Sequence, residues 1–162
     1  MKTNKNNFLK GAAIAAAILC AVQIVWLSVQ SWNISGLGAE NSEINWDKTI
    51  LPIQLIVFLG RLIFCVAYNA LIITFLTKTM KALKGGVIFP KSNVLLPFCT
   101  AGCYFIGTML NDNFDNILMT ETPCYTYFAI NSSTIIFTLL FLIFALLYKM
   151  AADISEENNL TI

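Results

Sequence analysis

Four long apolar stretches, separated by short polar ones, organise the chain. The first reads "GAAIAAAILCAVQIVWLSVQ", residues 11–30; the others run from Ile50 to Thr77, Asn93 to Leu110 and Tyr125 to Tyr148. A helix needs about 20 residues to cross about 30 Å of hydrocarbon. Runs one, two and four meet that length easily. The third is shorter and contains Pro97, Gly102 and Gly107. The pattern predicts an all-α fold: one integral membrane domain over residues 1–162, a four-helix transmembrane bundle with spans near 9–30, 50–77, 93–111 and 125–149. Between them lie loops 31–49, 78–92 and 112–124, and a tail 150–162 follows.

Composition strengthens this reading. The chain is 57% hydrophobic and 12% charged, with mean hydropathy +0.72. Soluble domains carry roughly 25% charged residues. A net charge of +1 offers no basic face, which argues against direct nucleic-acid binding. Histidine is absent, and with it the commonest general base and metal ligand. Of five cysteines, Cys20, Cys65, Cys99 and Cys103 lie in apolar runs and read as small hydrophobes; only Cys124 lies in a polar flank. No disulfide framework, metal site or cofactor is expected. Lys2, Lys5 and Lys10 precede run one as they would a signal peptide. The run exceeds an h-region of about 7–15 residues and lacks a small-residue cleavage site, so it reads as an uncleaved span.

Charge between the runs sets direction. Lys2, Lys5 and Lys10 lie before run one; Glu40, Glu43 and Asp47 outnumber Lys48 after it. Loop 78–92 holds Lys78, Lys81, Lys84 and Lys91 without an acid, and loop 112–124 holds Asp112, Asp115 and Glu121 without a base. Lysine alternates sides as the positive-inside rule requires, which places both termini and loop 78–92 in the cytoplasm. Trp26, Trp32 and Trp46 fall near the opposite ends of spans one and two, as interfacial anchors do. "KGG" at 84–86 is a stop for span two, since glycine accepts the left-handed turn after a helix. Span three has two possible starts. From Pro90, Pro97 would lie inside the helix and kink it. After Ser92 as N-cap, Pro97 falls near the first turn and disturbs little.

One charge interrupts run two. Arg61 lies roughly 16 Å along it. A charge at mid-membrane costs from about 2.5 to more than 10 kcal/mol, so it should face protein or water, or snorkel outward along its stem. Gln54, Arg61 and Tyr68 recur every seven residues on one helix face, and Gln23 and Gln30 repeat that spacing in span one. Asn131, Thr134 and Thr138 follow i, i+3, i+7 in span four. These side chains predict a polar cluster in the outer half, built from Arg61, Gln54, Tyr68, Gln23, Gln30, Asn131 and Thr134. Two readings of Arg61 stand: a structural ion pair with Asp112, Asp115 or Glu121, or an anion-binding or gating arginine.

Other chemistry is sparse. Cys99 and Cys103 share a face at i, i+4 but lack the further ligands a metal needs. With Gly102, Gly107 and Ala12, Ala13, Ala16 and Ala17 they suit close helix packing. No acid lies within a span to pair with the serines of "NSST", and "KGGVIF" lacks phosphate-loop spacing. The expectation is a non-catalytic protein. The loop lysines set topology or meet anionic lipid.

Two short stretches carry a resemblance. The closing "EENNLTI", Glu156 to Ile162, and "KGGVIFPKSN", with Gly86, Phe89 and Asn93, resemble the signatures of the bacterial four-span membrane family known as domain of unknown function 2975. Asn159 stands where the family favours Asp, and Pro90 where Ser or Thr is common. The resemblance implies a multi-pass protein of the bacterial cell membrane. It also implies a partnership with a small cytoplasmic helix-turn-helix DNA-binding protein, whose docking residues would be Phe89, Asn93, Leu160, Thr161 and Ile162. The leading expectation is a sensor or regulatory partner. The alternative is a small transporter or channel subunit, working as a homo-oligomer around the polar cluster.

Overall fold

The computed structural model describes residues 2–35, 44–120 and 128–160, with side chains between 10 and 157 within those ranges. The described residues are all-helical: α1 (Lys2–Ile34), α2 (Leu51–Lys84), α3 (Leu95–Asp112) and α4 (Ser132–Leu160). Four segments, Lys10–Ile34, Leu51–Lys84, Lys91–Met119 and Ser132–Glu157, are long and apolar enough to cross a membrane. In hydrocarbon every backbone donor and acceptor needs an internal partner, and a helix provides it within one segment.

Local chemistry sets the helix ends. Pro52 stands in the first turn of α2, where its missing N–H would have had no intrahelical partner. At the other end Gly86 takes a left-handed φ of 82°, and the N–H groups of Gly86 and Val87 donate to the carbonyls of Leu83 and Ala82. A 3-10 turn, Lys91–Asn93, then leads into α3. The helix starts at Leu95, so the later of the two expected starts holds, although Val94 rather than Ser92 is its N-cap. Pro97 therefore lies in the first turn, where its absent donor leaves no bond unmade.

Two boundaries differ from expectation. Residues 128–131 are not helical and α4 begins at Ser132, later than the 125 read from hydropathy, because Asn131 caps the helix through its side chain. The same helix continues through Leu160, so most of the expected tail is helical. Thr161 and Ile162 lie outside the described residues.

The central pair is α2 and α3; α1 packs chiefly on α2, and α4 on α3. At Gly107 a Cβ would lie 3.1 Å from the Cys65 backbone nitrogen and 3.2 Å from its Sγ, so the two backbones nearly touch. Gly102, expected to serve the same purpose, has open space around it; only Gly107 faces α2. Large apolar side chains on α1 and α4, among them Ile18, Leu19, Phe137 and Leu147, are exposed, as lipid-facing side chains are.

The two ends differ in character. At one, here the loop end, Ile34, Ile44, Val57, Leu110, Phe114, Ile117 and Leu118 form a buried cluster beneath the connecting segments. At the other, the lysine end, the turn after α2 folds onto α4: Phe89 meets the Tyr148 ring edge-on at 5.7 Å and Lys91 pairs with Glu156.

Candidate functional site

The spacing that places Arg61 and Tyr68 on one face of α2 turns both toward α1 and α3. A cleft of about 730 Å³ results. Gln23, Trp26, Leu27, Gln30 and Asn33 line one wall from α1; Tyr104, Thr108 and Asn111 line the other from α3. Arg61, Cys65 and Tyr68 make the floor, and Phe114, Asp115 and Met119 the rim at the loop end.

Arg61 is only 6% exposed. Its Nη2 donates to Oε1 of Gln30 at 3.2 Å, and its guanidinium carbon lies 4.2 Å over the Phe114 ring. Nε and Nη1 are buried without a hydrogen-bond partner. Such an orphaned donor costs about 1–3 kcal/mol, and more when charged, against about 0.5–2 kcal/mol returned by a cation–π contact. Gln30 lies one turn from the end of α1, and Phe114 just beyond α3. The stem thus lifts the charge toward the loop end, as snorkelling predicts.

The deep end of the cleft is aromatic. Nε2 of Gln23 donates to the Tyr68 hydroxyl at 2.9 Å, and Tyr68 meets Tyr104 edge-on at 5.4 Å. Arg61, Tyr68, Gln23 and Gln30 therefore converge, as their spacing predicts.

Gln54, Asn131 and Thr134 do not join them. Gln54 is fully buried, and the backbone at the loop end saturates its amide: Oε1 accepts from the Asp47 N–H at 2.9 Å, while Nε2 donates to the Asn45 and Ile117 carbonyls at 2.7 and 3.1 Å. It latches two connecting segments together. Asn131, just before α4, accepts from the Ser133 N–H, and Thr134 of α4 donates to Oδ2 of Asp112 at 2.9 Å; α4 packs on α3, and neither side chain lines the cleft. No ion pair reaches Arg61 among the described residues. Asp112 is engaged by Thr134, Asp115 lines the cleft unpaired with Arg61, and Glu121 lies outside the described residues.

Several residues escaped the sequence reading. Thr108 and Asn111 extend Tyr104 at i, i+4, i+7, a polar stripe whose spacing was available to find them. Asn113 had no such signal. Buried past the end of α3, it donates to the Met109 and Ala129 carbonyls and accepts from the Ala129 N–H, each at 2.7 Å, clamping the approach to α4. In the loop before α2, the Asp47 carboxylate accepts from the Thr49 N–H and hydroxyl, which hold its pKa below the ordinary carboxylate value.

At the lysine end Phe89 is partly exposed, but Asn93 is fully buried and donates to Thr79 Oγ1 at 3.1 Å. Asn93 thus holds the turn to α2 and is no surface contact. Leu160 closes α4, and Thr161 and Ile162 lie outside the described residues. No cluster of three or more His, Cys, Asp or Glu with metal-binding geometry occurs among the described residues.

Family models, curated proteins and solved structures yield no match to the chain.

Proposed function

We propose that this protein is a non-catalytic membrane receptor, with its loop end outward and its lysine end in the cytoplasm of a bacterial cell, regulating a soluble partner. The observation that carries the reading is the Arg61 guanidinium, buried in a cleft and short of acceptors. Evolution of a purely structural span would replace such a group with an apolar one at a gain in stability. A receptor needs it.

The packing offers a route from cleft to cytoplasm. Tyr68 touches Tyr104, and Tyr104 touches Phe141 at 5.2 Å. One turn on, Phe144 meets Phe75 at 5.9 Å; Phe75 meets Tyr148 at 5.1 Å, and Tyr148 meets Phe89. Adjacency alone is no coupling, and its test is functional.

By the resemblance in "KGGVIFPKSN" and "EENNLTI", the partner is a small helix-turn-helix DNA-binding protein. A photocrosslinker at exposed Ile88, in the full chain in its native membrane, tests this. Capture of a soluble DNA-binding protein is expected. Its absence, together with anion or cation flux through reconstituted vesicles, would replace the receptor with a transporter.

A further inference from the structure

Arg61 is more than nine-tenths buried, and among the described residues its one side-chain hydrogen bond goes to a neutral amide oxygen of Gln30. Nε and Nη1 have no acceptor. A guanidinium in a low-dielectric site is matched best by an oxyanion, which forms shorter and stronger hydrogen bonds than a neutral acceptor. The described carboxylates do not supply one: Asp112 is engaged by Thr134, and Asp115 stands outside ion-pair distance. Phe114 covers one face of the guanidinium, whose Nε and Nη1 are enclosed.

The surroundings constrain the rest of the ligand. The cleft, about 730 Å³, falls within the roughly 300–1,000 Å³ of small-molecule sites. Its α1 wall is continuous with the lipid-facing surface, because Trp26 both lines it and is 60% exposed, next to exposed Val22, Val25 and Val29. The charge lies beside Gln30, one turn from the end of α1, and Phe114, just beyond the end of α3.

We propose that the cleft binds the oxyanion head of an amphipathic molecule, a phosphate or carboxylate, on the Arg61 guanidinium, with the apolar chain laid along Trp26 and the exposed face of α1. This rests on the receptor reading and names its ligand class. The head can come from a membrane lipid or from a free amphiphile.

The test uses the full chain with Trp32→Phe and Trp46→Phe, leaving Trp26 as the reporter, in phosphatidylcholine nanodiscs. Decyl phosphate, decanoate and inorganic phosphate are titrated, and parallel discs contain phosphatidylglycerol. A saturable change in Trp26 fluorescence with decyl phosphate or decanoate supports a free amphiphile. A change produced by phosphatidylglycerol, to which decyl phosphate adds nothing, supports a lipid. Either response weakens at least tenfold in Arg61→Leu. Gln30→Glu does the same without removing the arginine, since it puts a carboxylate 3.2 Å from Nη2, and so covers the case in which Arg61→Leu fails to fold. The proposal is overturned if no probe changes the fluorescence, if both variants bind unchanged, or if inorganic phosphate binds as tightly as decyl phosphate. Partner capture at Ile88 is read separately, so a failed ligand and a failed receptor reading give different results.

Discussion

At the scale of single residues, burial and hydrogen-bond supply separate two polar side chains that sequence periodicity treats alike. Gln54 and Arg61 share a face of α2, yet Gln54 is saturated by three backbone groups while Arg61 keeps two nitrogens unpaired. Opposite mutational outcomes follow. Gln54→Leu strands the Asp47 N–H and the Asn45 and Ile117 carbonyls, and should destabilise by about 2–4 kcal/mol at about 1 kcal/mol or more per lost bond. A lower thermal midpoint in detergent is the readout, and an unchanged one would contradict the latch. Arg61→Leu removes a buried charge that has no carboxylate partner among the described residues, and should leave stability unchanged or raise it by about 1–3 kcal/mol in the same measurement. A large loss would restore the structural ion pair, with Glu121 as its remaining candidate. Asp47 adds a pH dependence. Its folded pKa is lowered by bonds to Thr49, so its contribution is full above the ordinary carboxylate value and fades as pH falls through the lowered one. The protection of the Thr49 amide, its exchange rate relative to the intrinsic rate at the same pH, should therefore fall on the acid side only, and Asp47→Ala should abolish that dependence.

At the scale of elements, Gly107 sets how closely the backbones of α2 and α3 approach, while a Cβ at Gly60 of α2 would lie 2.7 Å from the Leu110 side chain of α3. A side chain at Gly107 meets backbone atoms of Phe64 and Cys65, which cannot swing aside, whereas Gly102 faces open space. Gly107→Leu should disrupt the crossing by at least about 1–3 kcal/mol, the range of overpacked cores. Gly102→Leu should fall within about 0.5 kcal/mol of the parent. Comparing the two by detergent-resistant thermal unfolding separates close packing from a general intolerance of bulk in α3. The hydropathy pattern showed that both glycines lie in one span, but not which of them faces α2. That needs the rotation of α3 about its axis, which its neighbours set. The start of α3 has a similar cause: the turn from Gly86 to Asn93, tied to α2 through Thr79, carries the helix start past Pro90.

At the scale of the whole molecule, a line of packing runs α1–α2–α3–α4, and the cleft occupies the angle between α1 and α3 on α2. The proposed orientation predicts that Thr120→Cys, exposed at the loop end, reacts with a membrane-impermeant maleimide on intact cells. Ile88→Cys, exposed at the lysine end, should react only after lysis, both variants being made with Cys124→Ser. The reverse pattern would invert the receptor. Four apolar helices and the collection of lysines in loop 78–92 were legible without coordinates, because solvation by lipid and charge act on each segment independently of its neighbours. The convergence of Gln23, Gln30, Arg61 and Tyr68 was legible for the same reason, as spacing alone puts each pair on one face. Which faces meet was decided by tertiary structure. The diversion of Gln54 to loop backbone, the removal of Asn131 and Thr134 from the cleft, and the clamp at Asn113 all depend on where non-adjacent segments come to rest. A hydrogen bond between distant residues leaves no period in the chain that makes it.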